Sequence, residues 1–407
     1  MRILIVSQYF WPENFKVNDL VKEFAKRGHD ITVLTGYPNY PDGTVFQVFK
    51  DTPNVFSHFS GAKIYRVPLF ARGKNNFRLG LNYLSFMINA SVLGPFRLWN
   101  QRFDVIFVFE VSPVTVGIPA VILGKFKKAP VIFWVLDLWP ETLEALGVVR
   151  SQFILNAIGG LVRFIYNHCA LILGQKGFLE NIAKYCNDTA KIRYFPSWAE
   201  DVFNDQTVQP APEVPVREGA FNLLFAGNLG EAQDFPAVLD AAELLKNEAS
   251  IRWLIVGDGR MTDWVQREIT RRGLEQSVLL LGRFPLERMP SFFAHADALL
   301  VSLKPSPVFS LTIPGKVQSY LMSSIPLIGM LDGEGASVIR EAQAGLTCPA
   351  GDSVGLAQAV LKLSAMTKEE RLLLGKNGHA YAKQEFDRKT LMDRLEGFFH
   401  EVADKQI

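Results

Sequence analysis

What most limits the folds open to this chain is a strand, a helix and a second strand packed into its first 35 residues. Met1–Val6 is a run of apolar residues, and Ser7-Gln-Tyr-Phe-Trp-Pro-Glu13 is a loop. The helix that follows carries Val17, Leu20, Val21 and Phe24 on one face, Gly28 stops it, and His29–Thr35 is the next strand. A β-α-β unit of this length requires parallel strands joined by a right-handed crossover. Further buried strands are expected at 62–67, 104–109, 130–136, 171–173 and 192–195, so residues 1–198 read as a doubly wound α/β domain.

Between Pro196 and Phe221 four prolines, Pro196, Pro210, Pro212 and Pro215, interrupt any period, and 199–220 reads as a linker. A second α/β domain, 221–386, begins with the strand Asn222–Ala226 and continues with Ile251–Val256 and strands near Val278, Ala298 and Pro326. From Thr367 the tail is helical, with breaks expected near Gly378 and Asp387; its last part, 387–407, is expected to pack back on the first domain. Two such Rossmann-like domains would face each other across a cleft between the carboxyl ends of their sheets, where open α/β sheets bind ligands.

Composition narrows the function. With 48% hydrophobic and 21% charged residues the chain is globular rather than disordered. Its net charge of +2 conceals an asymmetry: 22 Lys and Arg against 13 Asp and Glu up to Trp198, and 21 against 28 beyond it. The basic first half suits an anionic partner; without a zinc-finger or RNA-binding aromatic signature, membrane or phosphate is favoured over nucleic acid. Cys169, Cys186 and Cys348 lie far apart and read as free thiols in a reducing compartment. The opening residues are too short and too strand-like for a signal peptide, which argues against secretion. Six scattered histidines pair nowhere at ligand spacing, so no metal site is expected.

The segment from Lys304 to Tyr320 carries the strongest candidate chemistry. It leaves a strand, passes through prolines and hydroxyls, and opens a helix with Pro314 at an early position and Lys316 one turn in. A helix N-terminus attracts anions through its free N–H groups and its dipole, and a lysine there adds a full charge. An ordinary strand-loop-helix connection with a proline start satisfies the same residues. Gly227-Asn-Leu-Gly230 and Gly257-Asp-Gly259 each follow a strand and let backbone N–H groups approach an anionic ligand, or serve simply as turns. Neither is a dinucleotide fingerprint and no Walker lysine loop occurs, which disfavours NAD and ATP.

In the first half, Asp137-Leu-Trp-Pro-Glu141 closes a strand, so both carboxylates either face the ligand or cap a helix. From Arg66 to Arg102 basic residues (Arg66, Arg72, Lys74, Arg78, Arg97, Arg102) alternate with apolar ones, and Leu79–Phe96 carries no charge. Asn82, Ser85, Asn89, Ser91, Gly94 and Pro95 make that segment too polar for a membrane span. It reads either as an interfacial element on anionic lipid or as a buried helix with a basic rim.

Phe24–Thr35, Gly257-Asp-Gly259, Leu281-Gly-Arg-Phe284 and the stretch from Ile313 to Gly329 together resemble the family-four retaining glycosyltransferases of the GT-B fold. Thr35–Pro41, Asp137–Pro140, Gly227–Gln233 and Pro314-Gly-Lys316 resemble more closely the WbuB-type branch, N-acetyl-L-fucosamine transferases of O-antigen synthesis. The resemblance spans nearly the whole chain. It departs where the family carries an arginine and a lysine (here Asn228 and Gln233) and a glutamate pair (here Leu311 and Ser319). It departs again at a glycine pair (here Pro12-Glu-Asn14) and at a histidine (here Leu136).

The resemblance implies a retaining, metal-independent transferase. It would move an N-acetyl-(deoxy)hexosamine-type sugar from a UDP-sugar to a lipid-diphosphate-linked saccharide, at the inner face of the cell membrane, in surface polysaccharide synthesis. No cofactor is implied. Lys316 would stabilise the departing diphosphate, Asp137 would orient the acceptor hydroxyl or take its proton, and Glu141 would support Asp137. Donor contacts would come from Gly227, Asn228, Gly257, Arg283, Phe284, Thr312, Pro314, Gly315, Lys316 and Ser319. Tyr9, Trp11, Arg72, Lys74 and Arg78 would serve the acceptor and the anionic membrane surface. A UDP-sugar epimerase of the same architecture and a non-catalytic nucleotide-sugar-binding scaffold subunit are the alternatives.

Overall fold

A computed structural model describes residues 1–405 except 74, 146 and 205–207. It divides into two units: Met1–Phe195 with Met392–Ile407, and Pro196–Leu391. Over the described residues the first unit forms a sheet of eight strands and the second a sheet of six.

The first sheet comprises β1 (Arg2–Val6), β2 (Asp30–Gly36), β3 (His58–Phe59), β4 (Ala62–Val67), β5 (Val105–Glu110), β6 (Val131–Val135), β7 (Leu171–Gly174) and β8 (Ile192–Tyr194), in the order β3-β4-β2-β1-β5-β6-β7-β8. Every pairing is parallel except β3 with β4, a short antiparallel edge that no sequence period announced. Central strands such as Ile3–Val6 and Ile106–Phe109 are buried on both faces, which is why they read as continuous apolar runs rather than as alternation.

The second sheet comprises β9 (Phe221–Ala226), β10 (Ile251–Val256), β11 (Val278–Gly282), β12 (Ala298–Ser302), β13 (Leu327–Met330) and β14 (Gly345–Cys348). All are parallel, in the order β11-β10-β9-β12-β13-β14. Numbered from β9, this is the dinucleotide-fold order 3-2-1-4-5-6, which reverses direction between β9 and β12. The sequence reading stopped short of β14.

Two expectations about the chain's joints change. Residues 199–220, read as a linker, fall within the second unit, and Ala199, Phe203, Ala211 and Val214 are buried in its core. The prolines interrupt periodicity there without freeing the backbone. Lys368–Glu385 is one helix that runs through Gly378 unbroken. Its glycines serve packing: a Cβ on Gly375 would lie 1.9 Å from the Ser324 carbonyl oxygen, and one on Gly378 2.9 Å from Leu321. The last helix, Arg388–Asp404, does contribute to the first unit from Met392 onward. There Phe399 packs on Phe24 and Phe107 at ring-centroid distances of 5.2 and 5.5 Å.

Candidate active site

In the second unit the loops that leave β9 and β12 flank the strand-order reversal, the place where ligands bind in open parallel sheets. Gly227, just after β9, has φ +145°, and Gly257, just after β10, has φ +139°. The two turns nest so closely that a Cβ on Gly257 would stand 1.9 Å from the Gly227 carbonyl oxygen. The Leu229 N–H donates to Asp258 O at 2.8 Å, and Met261 N–H to Leu229 O at 2.9 Å. Asn228 lies in this nest, its Oδ1 2.6 Å from where a Gly259 Cβ would be. Gln233, in the slot where the resemblance places a lysine, instead turns back to accept the Gly230 N–H at 3.1 Å.

Pro314 is the residue before the helix Gly315–Met322, so Lys316 is the helix's second residue rather than one full turn in. Its side chain crosses to the β9 turn: a Cβ on Gly227 would lie 2.5 Å from Lys316 Cε and 3.0 Å from Nζ. The ammonium stands over the Phe225 ring, and burial without a compensating charge lowers its pKa to about 8. One turn on, the buried Tyr320 hydroxyl donates to Ala226 O at 2.8 Å and accepts the Ala226 N–H at 2.9 Å, fastening helix to strand. The outcome is a half-buried cation, a helix N-terminus and a glycine turn brought together at the sheet's carboxyl end.

The other expected donor residues divide. Gly315 is exposed with open space beside its Cα. Pro314 packs its ring against Gly335, 2.9 Å from where a Cβ would sit. Arg283 is exposed and pairs at 3.9 Å with Asp258 beside the Gly257 turn. Phe284 is half-buried against Phe292, centroids 4.5 Å apart. Thr312 spends its hydroxyl on the Val308 carbonyl at 3.1 Å, because a helical turn precedes it. Ser319 is a correction: it is buried, donating to Glu200 Oε2 and, in its other contact, to the Gly315 carbonyl at 3.0 Å. The residue expected among the donor contacts is thus directed at a carboxylate from the segment read as the linker.

In the first unit Asp137 sits just beyond β6, mostly buried. Its Oδ1 accepts the Thr142 hydroxyl at 2.6 Å and its Oδ2 the Trp139 indole N–H at 3.2 Å. Burial raises its pKa, while hydrogen bonds from Thr142, Trp139 and Ser112 act in the opposite direction. Ser112, held at φ +137°, also bonds Tyr83, whose ring meets Trp139 edge-on at 6.2 Å. A non-glycine residue in that backbone region is strained, a feature that gathers at functional sites. Glu141 is engaged elsewhere: its carboxylate accepts the Tyr185 hydroxyl at 3.2 Å.

Sequence reasoning missed Glu110. It closes β5, is fully buried, and its Oε2 accepts the N–H groups of Leu136 and Asp137, each at 3.0 Å. The available signal was a lone carboxylate at the end of an otherwise apolar central strand.

The residues expected at the acceptor and membrane are placed mostly inward. Tyr9 is buried, stacked on Phe15 at 5.3 Å with its hydroxyl 3.4 Å from Asn82 Oδ1. Trp11, half-buried, packs on Phe56 and Phe59 at 5.0 and 5.2 Å. The Arg72 guanidinium lies over Tyr40 at 5.2 Å, whereas Arg78 is exposed. Lys74 lies outside the described residues. Beneath them Glu13 accepts the N–H groups of Phe10, Asn39 and Tyr40, at 3.1, 2.8 and 2.8 Å, which ties the loop after β1 to the loop after β2. Burial outweighs those bonds and pushes its carboxyl up to about 7.

Residues 220–366, which carry the Gly227 turn and Lys316, match the family model described as glycosyl transferases group 1. Among relatives, a Pseudomonas aeruginosa protein named as a glycosyltransferase, WbjE, is 28% identical over 288 residues, covering 66% of this chain and 70% of that one. An Escherichia coli (strain K12) protein named as a glycosyl transferase of colanic acid biosynthesis, WcaI, is 22% identical over 324 residues, 75% of this chain and 77% of that one. The architecture matches solved GT-B structures: Anabaena HepE in complex with UDP superimposes with a TM-score of 0.70 at 15% identity, covering 99% of this chain and 100% of that one.

Proposed function

We propose that this protein is a group 1 glycosyltransferase that moves an N-acetyl-(deoxy)hexosamine-type sugar from a UDP-sugar to a lipid-diphosphate-linked saccharide, with retention of configuration and without an obligatory metal ion. The observation that carries the reading is the Lys316 ammonium, which burial partly desolvates and which lies on the glycine turn after β9 at a helix N-terminus. A nucleoside diphosphate leaves with growing negative charge, and a preorganised cation beside backbone N–H donors stabilises that charge more in the transition state than before it. Gly227, Asn228, Gly257 and Gly315 bring backbone close to the diphosphate, and Arg283 with Phe284 flank the base. Asp137, held by Thr142 and Trp139, orients the acceptor hydroxyl or takes its proton.

A lipid-linked acceptor places the work at the inner face of the cell membrane. No helix among the described residues is long and apolar enough to cross a membrane. The helix Asn76–Arg97 nevertheless exposes Phe77 (75%) and Phe96 (71%), together with Leu84, Ile88 and Val92, and Trp99 follows it. Arg78, Arg97 and Arg102 border this row, and no acidic residue occurs from Arg66 to Arg102. An apolar stripe with cationic edges suits anionic lipid, which favours the interfacial reading over a fully buried helix.

Purified protein incubated with a panel of UDP-sugars and a lipid-diphosphate saccharide should release UDP and elongate the acceptor from one donor. Epimerised nucleotide-sugar or free monosaccharide formed without acceptor would instead make the protein an epimerase. Donor binding without turnover in every combination would make it a scaffold.

A further inference from the structure

The carboxyl group of Glu110 is the most deeply buried acidic group near the Asp137 site, with 0% exposure. Its Oε2 holds the two successive N–H groups of Leu136 and Asp137, while its Oε1 has no hydrogen-bond partner. The groups that face it are Asp137 from the loop after β6, Tyr83 from the helix Asn76–Arg97 and Tyr166 from the helix Gln152–Asn167. None is a cation. Two carboxylates in one buried place do not both ionise, and the one with more donors keeps the charge. Asp137 has the hydroxyls of Thr142 and Ser112 and the indole of Trp139; Glu110 has two backbone N–H groups on a single oxygen.

We propose that Glu110 is a positioning residue that holds the turn bearing Asp137 and does so as the neutral acid, leaving Asp137 the only negative charge of the pair. This deepens the acceptor-side role given to Asp137 and rests on that reading for its catalytic meaning. A neutral Glu110 fixes the backbone of the turn yet adds no second charge to repel a developing oxyanion or to make Asp137 harder to ionise. Burial, followed by the charge of Asp137, pushes the Glu110 carboxyl well above the ordinary range, in agreement with the geometry.

The test compares Glu110→Gln, Glu110→Ala and Asp137→Asn in the full chain. Gln keeps a carbonyl oxygen for both N–H groups and carries no charge, so its turnover and pH profile should stay near those of the wild type. Ala releases the turn: kcat should fall on the order of 10² with KM for the UDP-sugar unchanged, since a misplaced catalytic group costs about that much. Equal losses in Gln and Ala would show that the charge is needed and overturn the proposal, as would an unimpaired Ala variant. Infrared spectra at neutral pH give a readout independent of transfer. A protonated-carboxyl band of the wild type, beyond the partial signal of Glu13, whose carboxyl lies near 7, should persist in Asp137→Asn and be absent from Glu110→Gln. Wild-type protein without that band overturns the assignment even if transfer proceeds; the band in a protein that transfers no sugar keeps it and sinks the proposed function instead.

Discussion

The Nζ of Lys316 stands 4.2 Å from the centroid of the Phe225 ring, a β9 side chain directly below the turn that the lysine crosses. A cation over an aromatic face gains modestly from the ring, yet burial costs this one more, and its pKa falls from an ordinary 10.5 to about 8. The charged lysine is therefore present in full only below about pH 8. Donor affinity of the free protein should decline as pH rises through that value, and Lys316→Ala should lack the decline while losing on the order of 10²–10³ in kcat. Titration calorimetry with UDP across the pH range, beside steady-state rates, checks both; a flat wild-type profile together with an active Ala variant removes the lysine from the mechanism.

Stability runs in the opposite direction. Because the unfolded chain binds the lysine proton more tightly than the folded one, stability attributable to this group rises with pH between about 8 and 10.5. Lys316→Met, which keeps an unbranched side chain over Phe225 without the charge, should unfold at a higher temperature than the wild type at pH 7 while losing transfer. A gain of about 1 kcal/mol corresponds to roughly 2–4 °C for a unit of this size. An inactive but less stable variant would contradict the assigned cost of burial.

Gly227→Ala tests the contact from the other side. At φ +145° any side chain is strained, and its Cβ would lie 2.5 Å from Lys316 Cε, so the lysine must leave its place. The strain is of order 1–3 kcal/mol. UDP affinity should fall with Lys316 intact, whereas calorimetry showing wild-type affinity would mean that the lysine reaches the anion from elsewhere.

Acid should loosen the first unit at its last helix. Glu396 is 2.7 Å from both Arg27 and His29; burial alone would raise its carboxyl, but these two partners hold it below the ordinary 4.5. A lowered carboxylate contributes stability that is complete above its unfolded value and disappears as pH falls through the folded one. Glu396→Gln should cost about 1 kcal/mol at pH 7 and nothing in strong acid. Urea midpoints at the two pH values measure the difference; an equal cost at both would assign the effect to packing.

Much of the architecture was legible because its signals are local. Continuous apolar runs such as Ile3–Val6 and Ile251–Val256 follow from strands buried on both faces, and Gly227 and Gly257 mark turns that a side chain could not enter. Lys316 was visible as the cation just after the proline that starts a helix. What sequence could not show is which distant group each polar side chain meets. Ser319 bonds a carboxylate 119 residues away, and the backbone of Asp137 rests on a glutamate 27 residues earlier, just beyond the expected strand 104–109. Gly378, a plausible helix break, is instead the point where one helix approaches Leu321. Periodicity and turn chemistry belong to neighbouring residues, so sequence alone determined most of the strands, the two-sheet division and the lysine-bearing loop, though not the edge strands β3 and β14. Burial, protonation and hydrogen-bond partnership depend on what folding brings beside each group, and only the tertiary structure decided those.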